Sequence, residues 1–215
     1  KRTATPAIPG KKASFPSAGE GKKYLLSDSL IPLGGKILKE AQEVVARCST
    51  ELVKVQALYT HLIATMSYDK SGTGWGRGDA LYACDVRRGN CTDFHSLFVG
   101  MARSLGIPAR FVMGFPIEEG VQRGVISGYH CWAEVLIAGK GWFPVDISEA
   151  YKHPDKREFF LGRLDANRVQ FTLGRDIPLS PSSEPRSLNY FINPFVLVDG
   201  KQALGVKPVA SFEEI

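Results

Sequence analysis

Apolar residues recur every three or four positions in the first part of the chain. In "KILKEAQEVVARC" Ile37, Ala41, Val44, Val45 and Cys48 share one face, which predicts a helix. "TELVKVQALYTHLIATMSY" repeats the pattern with Leu52, Val55, Leu58, Tyr59, Leu62 and Met66, after a Ser49-Thr50 cap signal. The glycine-rich "DKSGTGWGRGDA" then reads as a loop. A third helix is predicted over Cys91 to Ser104, where Phe94, Leu97, Phe98, Met101 and Leu105 line up, and Gly106 and Pro108 end it.

Beyond Pro108 the period changes. "ARFVMGF" reads as a strand, and "GYHCWAEVLIAGKGWFPVDI" as two strands joined at "AGKG", the pattern of a hairpin. "NRVQFTLG" and "NYFINPFVLVDG" are further β-type runs, separated by the loop "RDIPLSPSSEPRS". Helices first and strands afterwards predict an α+β domain with an antiparallel sheet. Residues 1–23 carry no hydrophobic period and read as a flexible basic arm, leaving 24–215 as one folded domain with its C-terminal strands in 151–215.

Charge narrows the function. The 215 residues carry a formal net charge of +5. Up to Lys23 there are six basic residues against the single acid Glu20, which leaves 21 basic and 21 acidic residues in the body. The basicity therefore belongs to the arm, and the neutral body argues against nucleic acid as a partner. No run approaches the ~20 apolar residues of a membrane-crossing helix. A Pro-, Ser-, Gly- and Lys-rich start without Met fits an exported protein after removal of a signal peptide, and equally an internal chain boundary; export is the expectation. Cys48, Cys84, Cys91 and Cys131 are too few for a disulfide framework.

The position of Cys91 raises the question of chemistry. At the start of a helix its sulfur faces unpaired N–H groups and the positive end of the helix dipole, and both favour thiolate. A small buried cysteine is the plainer alternative. A thiolate nucleophile needs an imidazole that exchanges protons and a group to orient it. His130, near the start of the first hairpin strand, and Asp146, near the end of the second, are brought together by antiparallel pairing. Either alone could be a structural histidine or a capping carboxylate; the coincidence of all three is harder to discount. His95, one turn after Cys91, is the rival imidazole and is expected to be structural, meeting core rather than a carboxylate. Cys131 should alternate away from His130 into the core. Zinc ligation by Cys84, Cys91, His95, His130 and Cys131 is disfavoured by the spacings, so no metal or other cofactor is expected, and a disulfide between Cys84 and Cys91 would silence the site.

"GNCTDFHSLFVGMARSLGIPARFVMGF" followed by "GYHCWAEVLIAGKGWFPVDIS" resembles the transglutaminase-like superfamily of papain-like cysteine enzymes, over about residues 54 to 150. The resemblance implies a papain-like α+β fold in which the cysteine-bearing helix packs on the antiparallel sheet. It also implies Cys91 as nucleophile, His130 as general base and then acid, and Asp146 as the orienting group. The backbone N–H of Cys91 is a natural oxyanion donor, and Trp75 could supply a second from its indole. Only the catalytic core of the calcium-dependent animal transglutaminases is similar, so calcium control and crosslinking are not carried over. The implied activity is acyl transfer from an amide of a peptide or protein, cell-wall peptides included, most simply to water. Alternatives are transfer to an amine acceptor and a noncatalytic binding module.

Overall fold

The computed structural model describes residues 21–179, 186–203 and 206–214. Residues 1–20, most of the expected arm, lie outside the described residues. The helices are α1 (Gly35–Val44), α2 (Glu51–Thr65), α3 (Ala80–Val86), α4 (Cys91–Ser104) and α5 (Ile147–Lys152). The strands are β1 (Ser67–Tyr68), β2 (Arg88–Gly89), β3 (Ala109–Pro116), β4 (Arg123–Ile126), β5 (His130–Ile137), β6 (Gly141–Val145), β7 (Arg168–Leu173), β8 (Ile177–Leu179), β9 (Arg186–Leu188), β10 (Leu197–Val198), β11 (Lys201–Gln202) and β12 (Ala210–Glu213). No helix among the described residues is long and apolar enough to cross a membrane.

The central sheet is antiparallel throughout, in the order β6-β5-β3-β7, with β5 and β6 forming the expected hairpin. Helix α4 packs on β3 and β5, and α1, α2, α3 and α5 pack around it. Every residue of α4 from Cys91 to Arg103 is buried, so the helix is central rather than merely amphipathic. Its polar residues are buried with partners. Arg103, for example, donates to the Ala109 and Leu26 carbonyls and pairs with Asp28 at 2.8 Å.

The start of α4 is fixed with particular care. Asn90 caps it, its Oδ1 accepting the Thr92 N–H at 2.9 Å, while Asp93 Oδ2 accepts the Asn90 N–H at 2.9 Å. The same Asp93 carboxylate accepts the N–H groups of Gly76 at 2.7 Å and Gly78 at 3.1 Å, tying the glycine-rich loop to the helix start. A side chain at Gly89 would place its Cβ 2.2 Å from Asp93 Oδ2, so the approach to the cap admits only glycine. Parallel pairing of β1 with β2 sets Tyr68 beside Gly89, two residues before Cys91.

Two expectations need correction. Helix α3, which carries Cys84, was not predicted; Asp79 caps it by accepting the N–H groups of Leu81 and Tyr82. In the run "NYFINPFVLVDG" only Leu197–Val198 is strand. The part before it is anchored by side chains instead: Ile192 is buried, and Thr172 donates to the Phe191 carbonyl at 2.6 Å.

Candidate active site

Three elements converge at one edge of the sheet. Cys91 is the first residue of α4, His130 the first of β5, and Asp146 the residue after β6 that caps α5. His130 Nε2 lies 2.7 Å from Asp146 Oδ2, which leaves Nδ1 as the ring nitrogen available to the Cys91 sulfur. The two carboxylate oxygens divide their work. Oδ1 accepts the Glu149 N–H at 3.1 Å and the Ser148 hydroxyl at 3.2 Å, so the capping role and the imidazole contact coexist in one side chain. Asp146 is fully buried, whereas Cys91 and His130 keep 3% and 7% of their surface exposed.

The electrostatics follow from this packing. Burial pushes the Asp146 carboxyl up, but the charges of His130 and Arg168 override it and hold the group well below the carboxylate range. Burial alone would lower the His130 value; the charge and hydrogen bond of Asp146, with the nearby sulfur of Cys91, raise it to about 10. The Cys91 thiol is held well below its ordinary value by a hydrogen bond from Cys131, against the opposing effect of burial, together with the hydrogen bond and charge of His130. Although the Cys131 contact is the largest of these influences, S–H is a weak donor. A buried anion needs a counter-charge, and the imidazolium supplies it. The arrangement therefore favours the charged form of each partner, a thiolate beside an imidazolium.

Several neighbours were not legible in the sequence. Arg168, at the start of β7, is half-buried with 7% of its side chain exposed, and donates through Nη1 to Asp146 Oδ2 at 2.7 Å and through Nη2 to Asp165, with its guanidinium 5.2 Å from the Trp132 ring centroid. His95 does not avoid the carboxylate as expected, because its Nε2 lies 3.6 Å from Asp146 Oδ1. It remains a neutral, structural ring. Nδ1–H donates to the Cys91 carbonyl at 2.7 Å and Nε2 accepts the Ile147 N–H at 3.0 Å, while burial pushes its value down. His95 thus links the first turn of α4 to the first turn of α5. Cys131 is in the core as expected, yet the face it occupies is the one on which α4 begins, and it shares an apolar cluster with Cys91, Phe111, Met113 and Ile192.

Trp75 does not supply a free donor, since its indole N–H goes to the Gly72 carbonyl at 3.2 Å. Cys84 donates to Glu40 Oε2 at 3.4 Å, and all four cysteines are free thiols. Among the described residues no three His, Cys, Asp or Glu side chains form a group that could hold a metal. A cleft of about 550 Å³ opens on His130, with Tyr68, Lys152 and Arg168 in its walls. Lys152 Nζ stands 4.2 Å from the Tyr68 ring centroid and 2.8 Å from Glu149 Oε1.

Comparison with known proteins agrees with this architecture. An uncharacterized protein of Haemophilus influenzae is 29% identical over 212 residues, an alignment covering 83% of this chain and 57% of that protein. The uncharacterized protein YebA of Bacillus subtilis is 30% identical over 151 residues, covering 62% of this chain and 20% of YebA. The chain thus spans less than two thirds of the length of either relative. Among solved structures, that of a candidate cysteine protease from Cytophaga hutchinsonii superposes with a TM-score of 0.53 at 19% identity, over 86% of this chain and 61% of that one, a likeness of fold. The sequence profile of the transglutaminase-like superfamily matches residues 39–147, a stretch that runs from α1 to the first residue after Asp146. The chain belongs to the transglutaminase-like superfamily.

Proposed function

We propose that the protein is a cysteine-dependent enzyme that transfers acyl groups from amides, with Cys91 as nucleophile, His130 as proton carrier and Asp146 as its orienting partner. The observation that carries the reading is the convergence of a helix-start cysteine with an imidazole held 2.7 Å from a fully buried carboxylate. The thiolate of Cys91 attacks the amide carbonyl, and the Cys91 N–H, the one at the start of α4 not used by the Asn90 cap, is the donor offered to the developing oxyanion. Nδ1–H of His130 protonates the departing amine, and the acyl group remains on sulfur as a thioester. The now neutral imidazole takes a proton from the acceptor, whose oxygen or nitrogen attacks the thioester and frees Cys91.

Water is the favoured acceptor. The cleft beside His130 is open and lined by charged side chains, Lys152, Glu149 and Asp165 among them, so it does not exclude solvent. The fold likeness to a candidate cysteine protease supports the same choice. Transfer to an amine is the second reading and uses the same residues. The test compares wild type and Cys91→Ala on a mixed peptide pool by mass spectrometry, with and without a primary amine. Cleaved or deamidated products that require Cys91 are expected. Amine adducts replacing them would move the assignment to a transferase, and products that persist in Cys91→Ala would overturn the role of Cys91.

A further inference from the structure

A second cleft, of about 420 Å³, adjoins the site on the far side of Tyr129, the residue before His130. Tyr129 lines both clefts and is pinned between them. Its hydroxyl accepts from Asn90 Nδ2 at 3.0 Å, and its ring lies 5.9 Å from that of Tyr190. The two clefts differ in chemistry. The first contains Lys, Arg, Asp and Glu side chains, whereas among the described residues no Asp, Glu, His, Lys or Arg side chain lines the second.

The inner wall of the second cleft belongs to the apolar cluster that holds the reacting sulfur. Ile192 is buried in that cluster with Cys91, while Phe115 and Tyr129 pack against it, and all three line the cleft. Its outer wall keeps large apolar groups at the surface. Phe171 is 49% exposed and Val209 81%, with the Phe171 ring 5.5 Å from that of Phe115. Exposed apolar groups around a cavity of this size match the chemistry of a ligand side chain. A charged side chain entering it would lose its hydration without gaining a counter-ion.

We propose that this cleft seats an apolar side chain, aromatic or branched aliphatic, of a peptide substrate, one or two residues from the carbonyl that Cys91 attacks. The reach follows from chain geometry, because Tyr129 adjoins His130 and an extended residue spans roughly 3.3–3.6 Å. The assignment rests on the reading of Cys91 as an acyl-transfer nucleophile and adds the substrate preference of that site.

Rates of Cys91 alkylation by capped dipeptidyl chloromethyl ketones test it, with each of the two residues varied among phenylalanine, leucine, aspartate and lysine. Each rate is normalised to iodoacetamide, which carries no side chain. The expected result is that phenylalanine or leucine at one position alkylates about 10- to 100-fold faster than aspartate or lysine there. Two exposed substitutions, Phe171→Asp and Val209→Asp, should each shrink that ratio, and the second removes a side chain with little packing to lose. Equal rates across the set, or a preference for charge, would overturn the subsite while leaving the activated thiolate in place. A preference that survives both substitutions would overturn its assignment to this cleft. Failure of every reagent, iodoacetamide included, to alkylate Cys91 at mildly acidic pH would overturn the nucleophile and the subsite together.

Discussion

Replacing Asp146 by asparagine removes one charge and keeps the shape. Asparagine retains Oδ1 for the Glu149 N–H, so the cap of α5 survives, and Arg168 keeps its contact with Asp165. What changes is the proton on His130. Holding that ring protonated to about 10, instead of the ordinary 6.5, corresponds to about 5 kcal/mol, most of it from Asp146 because burial acts in the opposite sense. Without the carboxylate, burial wins and the ring is neutral at pH 7. Cys91 then loses its counter-charge and returns to the ordinary thiol range near 8.5 or above, where about 0.3% is ionised at pH 6. Wild type should be largely thiolate at that pH. The assay is the ultraviolet absorbance of the thiolate, titrated from pH 4 to 10 with Cys91→Ala as the blank. Asp146→Asn should lack the Cys91-dependent absorbance at pH 6 and recover it only above pH 8. An unchanged absorbance at pH 6 would refute the reasoning, because something other than the Asp146–His130 pair would be holding the thiolate.

Other substitutions separate the remaining contributions. Cys131→Ala removes the hydrogen bond to Cys91 but no charge, so the absorbance at pH 6 should persist while denaturant unfolding shows a loss of about 1 kcal/mol for the small cavity; loss of the thiolate would assign its stability to Cys131. Arg168→Met leaves two carboxylates without their shared partner and should cost about 3–5 kcal/mol in urea unfolding, with Arg168→Lys recovering only part because the fork is lost. Asp93→Ala strands the buried N–H donors of Asn90 and Gly78 and the half-buried one of Gly76, and should cost about 2–5 kcal/mol, again by urea unfolding. Turnover should be retained from neutral pH upward and fall as pH rises through about 10, since deprotonated His130 cannot protonate the leaving amine; a decline centred near 6.5 would show that Asp146 does not raise it.

The parts of the site that were legible in the sequence are those that depend on short-range order. The helix-start position of Cys91, the apolar spacing after it, and Gly106 with Pro108 define α4 to the residue, and a hairpin is enough to bring His130 near Asp146. What escaped depends on contacts between distant segments. Arg168 reads as the polar start of a strand, and only the fold shows that it faces Asp146 from 22 residues away in sequence. The period of α4 shows one apolar face, but Asp93, His95 and Arg103 are buried by partners on β3, the segment before α1, α5 and the glycine-rich loop that no helical period encodes. Ile192 looks like part of a strand because buried coil and buried strand share the same apolar composition. Alternation along β5 correctly separates Cys131 from His130, yet it carries no information about which face meets Cys91.

The most direct test of the central claim is to trap the covalent intermediate. A peptide found to be a substrate would be mixed with wild type, quenched in acid during turnover, and the protein's mass and peptide map recorded. The account predicts an acyl group on Cys91 that hydroxylamine removes, as expected for a thioester, and its absence from Cys91→Ala. An acyl group on another residue, or turnover by Cys91→Ala at the wild-type rate, would contradict it.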